Sequence, residues 1–176
     1  MSAGIVFLDR DGTILNLVYD SELKLMRGAR NLDEVSFIGG SVEAICDLSK
    51  KFVVAVVTNQ PDLSRGKLST VDLDLIHLEI DDYVTTIGGK IEYFAHCPHT
   101  VDVGCKCRKP ETKLFENIIA VEDCKDPLWV VGDSVCDVMA GKRLGAKTIQ
   151  LAPVDGDPNY CASNLLEASK IILDQK

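Results

Sequence analysis

The chain has 176 residues, 46% of them hydrophobic, and a formal net charge of −8. That length suits one domain with a full core, and the acidic balance argues against nonspecific nucleic-acid binding. No apolar stretch approaches a membrane span, and Asp9, Arg10 and Asp11 break the only early apolar run, so neither a span nor a signal peptide is expected.

The chain opens on an apolar run, Gly4 to Leu8, which predicts a buried strand ending in two carboxylates, Asp9 and Asp11, with Gly12 allowing an immediate turn. Ile14 to Asn31 is weakly periodic and predicts a loop or small hairpin over the active end. Glu34 to Ile38 predicts a short strand broken by Gly39-Gly40. Ser41 is expected to cap a helix through Val42, Ala44, Ile45 and Leu48. Phe52 to Val57 predicts a strand buried on both faces, ending at Thr58-Asn59-Gln60. After a loop over Pro61 to Leu68, Ser69 caps a helix to about Ile87, with Val71, Leu75, Leu78 and Val84 on its apolar side.

Gly88-Gly89 ends that helix, and Ile91 to Ala95 predicts a short strand suited to a sheet edge. A cysteine-rich loop follows, then a helix over Thr112 to Val121. Leu128 to Val131 predicts a strand leading to Gly132-Asp133-Ser134. Cys136 to Leu144 predicts a helix, Thr148 to Leu151 a strand, Pro153 to Asn159 a loop, and Ala162 to Leu173 a closing helix. Alternating strands and helices predict an α/β fold, a three-layer Rossmann-like parallel sheet with helices on both faces.

Three predicted strands end in polar residues: Asp9 and Asp11, Thr58 and Asn59, and Asp133. In a parallel sheet these tips share one edge, where ligands bind. Asp9 and Asp133 offer hard oxygen ligands for Mg²⁺, to which Asp11 can add its backbone carbonyl while its side chain stays free. Thr58 offers a hydroxyl, and Asn59 and Gln60 stand beside it as candidate substrate contacts. Arg108 and Lys109 are adjacent cations, and Lys109 can neutralise both a carboxylate and a transferring phosphoryl group. Asp9 is the candidate nucleophile, and Asp11 the acid that protonates the leaving alcohol and then the base that activates water.

FLDRDGT at 7–13, VTNQ at 57–60, RKP at 108–110 and VGDSVCD at 131–137 resemble, in order, the four motifs of the haloacid dehalogenase-like phosphohydrolases. The resemblance implies that Asp9 is the nucleophile, Asp11 the general acid/base, Thr58 and Lys109 phosphoryl-binding, Asp133 a Mg²⁺ ligand and Asp137 an acidic helper near the metal.

Seven cysteines are an odd number for a disulfide framework. Cys46, Cys124, Cys136 and Cys161 are scattered through expected core segments, and a reducing cytoplasm with a metal site is the simpler account. Cys97, His99, Cys105 and Cys107 place three thiolates and an imidazole within eleven residues, which matches a closed, structural Zn²⁺ site that aims Arg108 and Lys109. His96 is expected to be structural or exposed, and His77 a surface or boundary residue.

The zinc loop resembles that of the subgroup holding D-glycero-D-manno-heptose-1,7-bisphosphate 7-phosphatases and histidinol-phosphate phosphatases. NQPDLSRG at 59–66 resembles the subgroup's substrate loop, with Arg65 as a substrate contact. Pro61-Asp62 replaces the usual Ser-Gly, and Ser134 stands where some members carry Lys.

Only 44 residues separate Thr13 from Thr58, and the next interval is filled by a helix, a strand and the zinc loop, so no cap domain is expected in residues 1–176. Specificity then falls to Leu17–Asp20, Gln60–Arg65 and the zinc loop. A small phosphorylated sugar is the expected substrate, with histidinol phosphate as the alternative. A polynucleotide 3′-phosphatase is disfavoured by the acidic charge, and a non-enzymatic phospho-acceptor by Asp11. The absence of a long exposed apolar stripe suggests a monomer.

Overall fold

The computed structural model describes residues 4–124 and 127–175. Its first strand, β1 (Ile5–Leu8), is central because every side chain on it is buried. Val6 and Leu8 face one layer of core, and Ile5 and Phe7 the other, as the two-residue period of a strand requires. β1 pairs in parallel with β4 (Val53–Asn59) on one side and β6 (Leu128–Gly132) on the other. Two short strands, β2 (Val18–Asp20) and β3 (Leu25–Arg27), form a separate antiparallel hairpin.

With β5 (Tyr93–Cys97), β7 (Lys147–Leu151) and β8 (Tyr160–Ala162), the main sheet is six-stranded and parallel throughout, in the order β5-β4-β1-β6-β7-β8. The helices are α1 (Ser41–Ser49), α2 (Thr70–Thr86), α3 (Lys113–Glu122), α4 (Val135–Arg143) and α5 (Leu165–Asp174). Residues of α1, α2 and α5 pack with Val6 and Leu8. Phe115 and Ile118 of α3 and Ala140 of α4 pack with Ile5 and Phe7; Phe115 meets Phe7 edge-on at 5.0 Å. This is the expected three-layer arrangement.

Several local expectations are corrected. Residues 34–38 do not form a strand: Leu32–Glu34 is a 3-10 turn capped by Asn31, and Phe37 makes a single bridge to Leu15. Gly40, not Ser41, caps α1, while the Ser41 hydroxyl donates to the Ile14 carbonyl at 3.0 Å. On α2 the buried stripe is Leu73, Ile76, His77, Ile80 and Val84; Val71, Leu75 and Leu78 are exposed. Both stripes have helical spacing, and packing against the sheet selected the other one.

His77 is therefore buried, stacked on Phe94 at 4.8 Å, and burial, with Arg10 and His96 adding to it, pushes its pKa down to about 3. The segment at 160–162 is an edge strand, and the closing helix starts three residues later, capped by Asn164. Cys161 is exposed and Cys136 half-buried, whereas Cys46 and Cys124 are in the core. The edge expected for the strand near Ile91 is found, shifted to Tyr93–Cys97. No helix among the described residues is long and apolar enough to cross a membrane.

Candidate active site

The carboxyl ends of β4, β1 and β6 lie side by side, and each delivers one polar group to the same edge. Asp9 follows β1 directly, its N–H donating to Val131 of β6 at 2.9 Å. Asp133 follows β6, and Asp137 comes from the first turn of α4. Carboxylate oxygens of Asp9, Asp133 and Asp137 all lie within 4.8 Å of one another, a hard donor set of the kind that suits Mg²⁺. Gly12 makes this crowding possible: its φ is +80°, and a Cβ there would stand 2.1 Å from Asp133 Oδ2.

Lys109 reaches into the cluster from the side of the cysteine loop. Its Nζ donates to Asp9 Oδ1 and to the Val57 carbonyl, both at 2.7 Å, and pairs with Asp137 Oδ1 at 2.7 Å. Burial alone would discharge this lysine, but Asp137 and Asp9 override it and hold the ammonium above its ordinary value. Burial pushes Asp9 up to about 7 against the pull of Lys109, with Asp137, Asp11 and Asp133 adding to the rise. Burial, then Asp137, raises Asp133 to about 6. A divalent cation among these carboxylates would relieve that repulsion.

Asp137 is itself held by the start of α4, where its Oδ2 accepts from the Ser134 N–H at 3.2 Å and the Ser134 hydroxyl at 2.6 Å. Thr58 is buried at the end of β4, its Oγ1 accepting from Gln60 Nε2 at 2.8 Å. The Asn59 side chain bonds both backbone groups of Lys109, at 3.0 and 3.2 Å, so it ties the β4 tip to the lysine.

The Asp11 side chain is not free, as the sequence suggested, and it stands outside the three-carboxylate group. Arg10 grips it with Nε to Oδ1 at 3.0 Å and Nη2 to Oδ2 at 2.9 Å, and Gln60 Nε2 donates to Oδ2 at 2.7 Å. Arg10 is fully buried and was not singled out from sequence, where a charged residue between two aspartates reads as surface.

Register carries the cysteine loop to the same edge, because Cys97 ends β5 opposite Asn59. The Cys97, Cys105 and Cys107 sulfurs lie 3.3–3.6 Å apart, and His99 Nδ1 lies 3.3 Å from Cys107 Sγ and 3.6 Å from Cys97 Sγ. Tetrahedral Zn²⁺ with Zn–S bonds of about 2.3 Å sets its sulfurs about 3.8 Å apart, so the four donors fit that ion. Arg108 is tied to this loop, its Nη1 donating to the His99 carbonyl at 3.2 Å. His96, half-buried on β5, stands 6.3 Å from the His77 ring.

A cavity of about 250 Å³ opens beside Asp11, lined by Arg27, Arg30, Gln60, Arg65 and Arg108 among others. Its hairpin wall is Leu25–Arg30 rather than the expected Leu17–Asp20. Asp20 stands behind that wall and pairs with Arg27 and Arg30. Arg30 also pairs with Asp62, which pairs with Arg65, so Asp62 joins the hairpin wall of the cavity to the loop after β4. A walled, arginine-rich cavity next to a carboxylate cluster with a shared lysine can bind an anion and transfer its phosphoryl group.

Comparison with known proteins agrees with this geometry. A family model described as HAD-hydrolase-like matches residues 106–153. Over 155 residues the chain is 35% identical to the D-glycero-beta-D-manno-heptose-1,7-bisphosphate 7-phosphatase of Pseudomonas putida, covering 87% of this chain and 85% of that protein. A crystal structure of D,D-heptose 1,7-bisphosphate phosphatase from B. bronchiseptica, complexed with magnesium and phosphate, aligns with a TM-score of 0.86 and 27% identity over 98% of this chain and 99% of that one. The histidine biosynthesis bifunctional protein HisB of Legionella pneumophila (strain Lens) is 29% identical over 174 residues, which are 98% of this chain but 48% of that protein. By its identity to the Pseudomonas enzyme over most of both chains, together with the fold it shares, this chain belongs to the haloacid dehalogenase-like phosphohydrolase family.

Proposed function

We propose that the chain is a single capless domain that works in the cytoplasm as a Mg²⁺-dependent phosphatase on the 7-phosphate of D-glycero-β-D-manno-heptose 1,7-bisphosphate. The observation that carries it is the Lys109–Asp9 contact of 2.7 Å at the tip of the central strand, with Asp133 and Asp137 alongside. The substrate is taken from the relatives, and the arginine-lined cavity suits a sugar that keeps a second phosphate.

In the first half-reaction an Asp9 carboxylate oxygen attacks phosphorus, forming an acyl phosphate as the bond to the C7 oxygen breaks. Asp11 gives that oxygen its proton. In the second, Asp11 takes a proton from water, the water oxygen attacks phosphorus, and inorganic phosphate leaves with Asp9 regenerated. Lys109 balances the charge of Asp9 and of the phosphoryl oxygens, and Thr58, Asn59, Gln60, Arg65 and Arg108 orient the ester. The side chains of Asp9, Asp133 and Asp137 and the Asp11 backbone carbonyl would hold Mg²⁺, which neutralises phosphoryl charge when bound. Cys97, His99, Cys105 and Cys107 would hold a structural Zn²⁺, and the protein is monomeric.

Histidinol phosphate is the second reading, favoured by the HisB relative that aligns along 98% of the chain. Acid-quenched Asp11→Asn protein given a reactive aryl phosphate should carry phosphate on the peptide containing Asp9, detected by mass spectrometry. Phosphate on another residue, or turnover without any phosphoprotein, would refute the mechanism.

A further inference from the structure

We propose that Arg10 is a positioning residue for proton transfer: it fixes the Asp11 carboxylate so that Oδ1 alone faces the leaving oxygen. The proposal rests on the assignment of Asp11 as the acid. An ionised carboxylate offers about four acceptor sites, two per oxygen. Oδ2 accepts from both Arg10 Nη2 and Gln60 Nε2, so its sites are filled. Among the described residues Oδ1 accepts from Arg10 Nε alone, which leaves one of its sites free, and Asp11 helps to line the cavity. The two parallel bonds of a guanidinium fix the plane of the carboxylate, which a single ammonium contact cannot do.

The surroundings are shaped for this clamp. Arg10 is fully buried, and its Nη2 also lies 3.5 Å from the Ala29 carbonyl. Its Nη1 is buried with no hydrogen-bond partner among the described residues, so the contacts to Asp11 account for most of its bonding. A Cβ at Gly28 would stand 2.5 Å from Asp11 Oδ2 and 2.7 Å from Oδ1, so the hairpin backbone packs close against the carboxylate that Arg10 holds.

The test compares kcat/KM for heptose 1,7-bisphosphate, an alkyl ester whose leaving oxygen needs a proton, with that for p-nitrophenyl phosphate, whose leaving group does not. This constant reports the steps through release of the alcohol and is blind to the later water step. Arg10→Met should lose about 10²-fold on the alkyl ester, within the usual range for general acid catalysis, and much less on the aryl ester. Arg10→Lys, which keeps charge and length, should show the same selectivity at smaller size and serves if the Met variant does not fold. A purely structural role lowers both substrates equally, and equal losses in the folded variants would overturn the proposal.

Asp11→Asn separates the two claims. Selective alkyl loss in Asp11→Asn without it in the Arg10 variants removes the positioning role alone. No selective loss in Asp11→Asn overturns the acid assignment, and the role of Arg10 with it.

Discussion

Two aspartates one residue apart make opposite contributions to stability. Burial, against the pull of Lys109 and with Asp137, Asp11 and Asp133 adding to it, raises the Asp9 pKa to about 7, so its ionised form is costly at neutral pH. Asp11 instead closes an ion pair with Arg10, whose side chain is 0% exposed against 14% for Asp11. Removing one partner of a buried pair strands the other charge, at a cost of about 3 kcal/mol. Asp11→Ala should therefore unfold at markedly lower temperature than the parent without added Mg²⁺, while Asp9→Asn should be neutral or more stable in the same calorimetric measurement. Equal shifts would contradict this division. Asp9, Lys109 and Asp133 were legible in the sequence because each sits where an apolar run or a charged motif stops. The Arg10–Asp11 clamp was not, because neighbours along a strand point to opposite faces. They meet because both lie past the end of β1, where the chain bends out of the strand conformation.

The hairpin of β2 and β3 is held by charge more than by its short ladder. Asp20 accepts from the Leu23 and Glu22 N–H groups at 3.0 and 3.1 Å and pairs with Arg27 and Arg30. The Leu23 bond, with the two arginines, lowers its pKa from 3.8 to about 2 against a smaller rise from burial. A depressed carboxylate stabilises the fold above its unfolded value and loses that effect as pH falls through its folded value. Hairpin order, read from the exchange of its amides, should thus fall between pH 3.8 and about 2, and Asp20→Asn should flatten that dependence. A variant that keeps the parent's profile would show that Asp20 is not the group responsible. Arg27 and Arg30 lie seven and ten residues from Asp20, a spacing that no local pattern marks, so the hairpin could be guessed from its composition but its inner wall could not. The wrong face on α2 has a related cause: two stripes fitted a helix, and only the sheet could choose between them.

The cysteine loop was readable because its four candidate donors are close in sequence, a spacing that tertiary structure need not supply. Its link to catalysis comes from register, since Cys97 pairs with Asn59 and Asn59 holds the Lys109 backbone. Chelating zinc, or replacing Cys107 with Ser, should release about one Zn²⁺ per chain and lower both the melting temperature and kcat. Full activity in protein shown to be metal-free at this loop would separate the loop from the site.

At the scale of the whole molecule, the parallel order places β1 between β4 and β6, so groups as distant in sequence as Asp9 and Asp133 meet at one edge. That convergence followed from polar strand ends alone and needed no knowledge of the loops. The loops line the cavity, Pro61 and Asp62 among them. With a net charge of −8, the molecule must attract an anion through the local arginines around its cavity. The most direct measurement is Mg²⁺-dependent phosphate release from both anomers of heptose 1,7-bisphosphate, beside histidinol phosphate and a 3′-phosphorylated oligonucleotide. The proposed function predicts fastest release from the β anomer, heptose 1-phosphate as the other product, and no release by Asp9→Asn. Faster hydrolysis of histidinol phosphate, or release that survives Asp9→Asn, would contradict it.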